Sequence, residues 1–183
     1  MLIRFLFIYL SMFVVNSCAQ TDSNQKQINM LKIGDIAPAI NSIDQNGEQI
    51  TLEQFKGKKI VLYFYPRDDT PGCTKEACGF RDDLSKYKRA GAVVIGVSRD
   101  SIESHEKFVK KFDLNFMLAS DKDGDVCEKY GAWRLKNMYG KEYFGIGRST
   151  FLIDTKGKIN KIWPKVKVDG HVDEVLKAVK ECP

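Results

Sequence analysis

Hydrophobic residues in this chain fall into two kinds of run. Lys59 to Tyr65, KIVLYFY, is apolar at every position after its lysine and too short for a helix, the pattern of a strand buried on both faces of a mostly parallel sheet. Ala92 to Val97, AVVIGV, repeats it. Between them, Ala77, Phe80, Leu84 and Tyr87 recur at helical spacing, so the segment from Thr74 to Ala90 is expected to be an amphipathic helix. Strand, helix and strand together predict a right-handed crossover unit.

The same reasoning carries forward. Ser101 to Phe112 starts with cap-type residues and puts Ile102, His105, Phe108, Val109 and Phe112 along one face, predicting a second helix. A short strand over Phe116 to Ala119 and a helix around Val126 to Tyr130 follow. Ser149 to Asp154 and Lys158 to Trp163 flank Thr155-Lys156-Gly157, a hairpin signal, and Val172, Val175, Leu176 and Val179 mark a closing helix. These elements fit an α/β thioredoxin-like fold, a central mixed β-sheet flanked by helices, although the pattern alone admits other small α/β domains.

The first thirty residues break this pattern. Met1 to Arg4 carries one positive charge, and Phe5 to Val15 is apolar but too short to span a bilayer. Val15-Asn16-Ser17-Cys18 resembles the lipobox of bacterial lipoproteins, with Cys18 as the lipidated residue. Ala19 to Met30 is polar and aperiodic, a tether with a typical span of about 20 Å. The expected organisation is a signal peptide over 1–17, a tether over 18–30 starting at the lipidated Cys18, and one domain over 31–183. It implies a lipid-anchored protein of the bacterial envelope, facing the periplasm and held to the membrane through Cys18.

Composition adds little and excludes one class. The 183 residues are 43% hydrophobic and 29% charged, ordinary for one globular domain. The net charge of +5 is scattered rather than clustered, so no nucleic-acid partner is expected.

The chemistry concentrates in DDTPGCTKEACGF, Asp68 to Phe80. Cys73 falls in the first turn of the predicted helix, where unpaired N–H groups and the helix dipole favour a thiolate, so it is a nucleophile candidate. Cys78 lies five positions on. In an ideal helix such a pair is separated by about 7.5 Å in rise and about 140° in rotation, with Cα atoms about 8.7 Å apart. A disulfide needs less than about 7 Å, so these thiols can join only when the helix unwinds locally.

Other residues read as structural. Cys127 is expected to pack in a helix, and Cys182 to be an incidental exposed thiol near the C-terminus. His105 and His171 fall where structural histidines occur. Asp121, Asp123 and Asp125 hint at a calcium loop but lack its glycine and its final acidic ligand, and so suggest a turn and helix cap. Gly145 and Gly147 lack the rest of a dinucleotide motif. Asp68 and Asp69 admit an acid/base reading, though a solvated loop explains them as well.

FYPRDDTPGCTKEACGFRD, Phe64 to Asp82, resembles the Pro-x-x-x-Thr-x-x-Cys motif of peroxiredoxins in the bacterioferritin comigratory protein, or Q-type, form. YGKEYFGIGRSTFLID, Tyr139 to Asp154, is similar to that family's second signature. The resemblance implies a thioredoxin-like fold and a peroxidase. Cys73 would be the peroxidatic cysteine, Thr70 and Arg148 its activating partners, Pro66 a lid against water, and Cys78 the resolving cysteine. It implies a hydroperoxide substrate and a thioredoxin-like reductant, with no cofactor or metal, in a monomer or weak dimer. Two rivals are a membrane-tethered thiol:disulfide oxidoreductase, disfavoured by the missing C-x-x-C, and a copper-delivery protein on the same fold, whose usual gap of three residues between thiols is four here.

Overall fold

In the computed structural model, residues 31–138 and 140–183 are described; the proposed leader, tether and Cys18 lie outside them. The sheet begins with a hairpin of β1 (Asn41–Asp44) and β2 (Gln49–Thr51). A short 3-10 turn at Leu52–Phe55 then leads to β3 (Lys59–Phe64), α1 (Pro71–Arg89) and β4 (Ala92–Ser98). Next come α2 (Ile102–Phe112), β5 (Met117–Ser120) and α3 (Asp125–Lys129). A separate hairpin of β6 (Trp133–Met138) and β7 (Lys141–Ile146) precedes β8 (Ser149–Ile153), β9 (Ile159–Trp163) and α4 (His171–Glu181).

The main sheet has the order β2-β1-β5-β4-β3-β8-β9. Only β3, β4 and β5 run parallel; β8 joins β3 antiparallel and β1 joins β5 antiparallel, so the sheet is mixed. This is the expected α/β arrangement, with helices on both faces.

Strand β3 explains the two-sided burial. Its odd positions Val61 and Tyr63, with Tyr65 beyond its end, pack into one core with Phe80, Leu84 and Tyr87 of α1, Phe108 of α2 and Val175, Leu176 and Val179 of α4. Its even positions Ile60, Leu62 and Phe64 enter a second core with Val126 and Cys127 of α3, Tyr130 and Phe151. A period of two on a strand delivers this division directly. Gly96 of β4 is required by the same packing, because a Cβ there would meet Tyr63 at 2.7 Å.

Several boundaries match the sequence pattern within a few residues. Ser101 caps α2, its Oγ accepting from Ser104 N–H. Asp121 serves the N-terminus of α3, whose N-cap is Gly124, by accepting from the N–H groups of Val126 (3.0 Å) and Cys127 (2.7 Å). The two hairpins β1-β2 and β6-β7 were not anticipated. Cys182 was expected to be exposed and is instead 5% exposed, packed in the core beneath α1 and α4.

Candidate active site

The site forms where β3 ends and α1 begins. Thr70 is the N-cap of α1 with extended backbone, and Pro71 fills N1, where a missing N–H costs nothing. The helical ladder opens with Thr74 N–H donating to Thr70 C=O at 2.8 Å. The N–H groups of Gly72 and Cys73 precede that bond and are left to other acceptors at the positive end of a 19-residue helix. Cys73 stands there, 2% exposed.

Arg148 arrives from the start of β8, the strand paired with β3. It occupies the two-residue link between β7 and β8, and its neighbours are pinned: Gly147 N–H donates to Ala132 C=O at 2.8 Å, and Val166 N–H donates to Arg148 C=O at 3.1 Å. A Cβ at position 147 would meet the Arg134 side chain, so glycine there lets that side chain lie against the link. So held, Arg148 Nη2 donates to Cys73 Sγ at 3.2 Å. Its Nη1 donates to Glu76 Oε2.

Glu76 was missed in the sequence. It is 0% exposed, one helical turn beyond Cys73 on the same face. Burial raises its pKa to about 7 against the pull of Arg148. Burial opposes the charge on Arg148, but Glu76 and Cys73 outweigh that and hold the guanidinium above its usual range. The available signal was a carboxylate at i+3 from a helix-start cysteine, inside an apolar stripe, which demands a cation.

The other expected residues divide. Thr70 Oγ1 donates to Arg67 C=O at 3.1 Å, beside Cys73 in the chain but engaged with its own loop. Pro66 is exposed at the start of that loop. Cys78 is partly exposed on α1, which is helical throughout from Pro71 to Arg89, and both Cys73 and Cys78 are free thiols. Asp68 is a correction: it is buried, 7% exposed, although Arg67 and Asp69 on either side of it are exposed. The histidines are engaged elsewhere, His105 Nδ1 with Asp68 (2.8 Å) and His171 Nε2 with Thr150 Oγ1 (2.8 Å).

Comparison with known proteins agrees with this geometry. The AhpC/TSA family profile matches residues 33–162. The chain is 56% identical to "Putative peroxiredoxin bcp" of Coxiella burnetii, over 80% of this chain and 97% of the relative. It is 47% identical to "Peroxiredoxin Bcp" of Escherichia coli, over 84% and 99%. Among solved structures, peroxiredoxin Q of Xanthomonas campestris superposes with a TM-score of 0.75 at 45% identity, covering 78% of this chain and 90% of that one.

The expected envelope location is overturned by these relatives. They are aligned over 97% and 99% of their own length, leaving almost none for a counterpart of the leader and tether on which that expectation stood. Among the described residues, no helix is long and apolar enough to cross a membrane. The periplasm-facing, Cys18-anchored reading is therefore withdrawn.

A cysteine at the start of α1, an arginine brought against its sulfur from the β7-β8 link, and close relatives of the same length as the domain lead to one assignment: the chain belongs to the AhpC/TSA family, as a peroxiredoxin of the bacterioferritin comigratory protein, or Q, type.

Proposed function

We propose that this thiol peroxidase reduces hydroperoxides at Cys73 and resolves through Cys78, with residues 31–183 as the complete catalytic domain. The observation that carries the reading is the 3.2 Å contact of Arg148 Nη2 with Cys73 Sγ at the N-terminus of α1. The Cys73 thiolate attacks one peroxide oxygen in line with the O–O bond. An S–O bond forms, the O–O bond breaks, and the departing alkoxide or hydroxide takes a proton to leave as alcohol or water, with Cys73 as sulfenic acid.

Fast attack needs more than an ionised thiol, since intrinsic nucleophilicity falls with thiol pKa. Arg148 and the Cys73 N–H supply donors where negative charge moves from sulfur to oxygen. Thr70 Oγ1, released from Arg67 or sharing its lone pairs, orients the bound peroxide. Pro66, at the surface end of the loop, covers the thiol from solvent. Local unwinding of α1 then lets the Cys78 thiol displace the sulfenic oxygen, forming the disulfide and releasing water. A thioredoxin-like dithiol restores both thiols, becoming a disulfide itself.

Organic as well as inorganic hydroperoxides fall within this reading. A bacterioferritin comigratory protein of Xanthomonas campestris, 44% identical to this chain, was studied structurally for alkyl peroxide reduction. The test is consumption of hydrogen peroxide and an alkyl hydroperoxide by the protein with thioredoxin and its reductase. Wild type is expected to turn over both and Cys73→Ser neither; turnover surviving in Cys73→Ser sinks the reading. Stoichiometric copper uptake without turnover would favour the copper-delivery alternative instead.

A further inference from the structure

The loop that carries Thr70 is held from behind by a carboxylate that the chemistry above does not use. Asp68 Oδ1 accepts from Tyr65 O–H at 2.7 Å, and its Oδ2 accepts from Ser104 Oγ at 2.7 Å and His105 Nδ1 at 2.8 Å. Its backbone N–H donates to Asp100 Oδ2 at 2.9 Å, an oxygen that also accepts from Ser98 Oγ at 2.7 Å. Tyr65 follows β3, Ser98 ends β4, and Ser104 and His105 lie in the first turn of α2, so three elements converge on one loop residue. Among the described residues His105 Nε2 is buried without a partner, which suits a ring whose proton is on Nδ1 and donated to Asp68.

A carboxylate this buried is stable only while its donors stay in place. Asp68 is thus a fixed point of the loop. The next residue, Asp69, has a φ of +52°, a left-handed conformation that aspartate tolerates better than most residues other than glycine. Its side chain is tied to Lys111 Nζ of α2 at 2.6 Å. Thr70 follows immediately as the cap of α1, with its hydroxyl donated back to Arg67. The loop leading into Thr70 is therefore anchored on α2 and on the ends of β3 and β4.

We propose that Asp68 is a positioning residue for peroxide reduction: with Tyr65, Ser104 and His105 it holds the Thr70 loop in the shape that meets the peroxide. It is also the fixed end from which α1 unwinds after Cys73 is oxidised. The inference rests on the assignment of Cys73 and Cys78 above. It predicts opposite effects on the two chemical steps. Loosening the anchor disorders the peroxide-binding loop and slows attack, while it removes support from the wound helix and so speeds condensation of the Cys73 sulfenic acid with the Cys78 thiol, which releases one water. A residue serving global stability alone would not separate the two rates.

The test compares wild type with Asp68→Ala, Asp68→Asn and Ser104→Ala in single-turnover reactions, following peroxide consumption and disulfide formation separately. Amide hydrogen exchange is followed across residues 66–79 of the reduced proteins. Asp68→Ala is expected to slow attack by about tenfold or more, the scale of a lost charge-assisted hydrogen bond. Disulfide formation should quicken and exchange should rise over the loop and the first turns of α1. Asp68→Asn and Ser104→Ala should move the same quantities less, and they carry the test if Asp68→Ala does not fold. The proposal is overturned if both rates stay within about twofold of wild type in these variants, or fall together. Mass spectrometry of peroxide-treated wild type separates the layers: no oxidation at Cys73 defeats the site assignment, whereas Cys73 oxidation with unchanged variant rates defeats only the role of Asp68.

Discussion

Arg148 holds Cys73 and Glu76 at once, one guanidinium nitrogen on the sulfur and the other on the buried carboxylate. The positive charge nearest the reacting sulfur is therefore shared, and the two acceptors compete for it. Arg148→Ala is expected to slow peroxide attack by about a hundredfold or more, by removing a donor aimed at developing charge. It should also lower the melting temperature, because Glu76 is left buried without its cation. Arg148→Lys should recover little of the rate, since an ammonium cannot fork to both acceptors. Stopped-flow peroxide reduction and thermal melts check this; a rate for Arg148→Ala near that of wild type would show the contact to be idle.

Competition for Arg148 gives the peroxidase a pH dependence that Glu76 controls. With burial raising its pKa to about 7, Glu76 is mostly neutral below neutrality and leaves the guanidinium to Cys73. As pH rises through 7 the ionised carboxylate draws that charge away. Glu76→Gln keeps an acceptor for Arg148 but cannot ionise, so its rate profile should lack the transition near pH 7. The measurement is the second-order rate of peroxide consumption from pH 5 to 9; a transition near 7 unchanged in the variant would assign it to another group.

Two buried groups, Glu76 and His171, shape stability in opposite directions. Glu76 has a folded pKa above its unfolded value, so the folded state holds the extra proton between about 4.5 and about 7, and stability falls as pH rises across that window. His171 is the reverse: burial lowers it from 6.5 to about 4, so the unfolded chain takes up the extra proton between those values and stability rises with pH. In wild type these slopes oppose each other. Glu76→Gln should expose the rise from pH 4 to 6.5, and His171→Asn should expose the fall from 4.5 to 7, both readable in urea melts. Identical pH slopes in both variants would contradict the linkage.

The elements legible in the sequence were those whose pattern is local. KIVLYFY and AVVIGV became β3 and β4, and the stripe from Ala77 to Tyr87 became one face of α1. The hairpin β6-β7 was hidden because its strands are largely exposed, Leu135 and Phe144 included, and lack the alternation that one buried face imposes. Asn46-Gly47 was a usable turn signal for β1-β2, but its flanking strands of four and three residues were too short to register. At the site, Cys73 was legible as a nucleophile candidate from helix-start chemistry, whereas Thr70 and Arg148 entered only through the family resemblance. Glu76 and Asp68 were not legible, because burial of a carboxylate is decided by partners 72 and 37 residues away, Arg148 and His105.

Cys78→Ser tests the spacing of the two thiols. Both lie in one unbroken helix, so in the reduced protein they are about 8.7 Å apart at Cα and cannot bond until α1 unwinds. The variant should therefore consume one equivalent of peroxide as fast as wild type, leaving a sulfenic acid on Cys73. Turnover with a protein dithiol should collapse, and Cys73 should over-oxidise to sulfinic acid more readily. Cys127 lies in the core on the opposite face of the sheet from Cys73, and Cys182 follows the C-terminal end of α4. Wild-type oxidation should accordingly yield a Cys73 to Cys78 bond and faster amide exchange from Cys73 to Phe80 than in the reduced protein. Peptide mapping that instead joined Cys73 to Cys127 or Cys182, or exchange that stayed as slow after oxidation as before, would remove Cys78 from the cycle and with it the need for α1 to unwind.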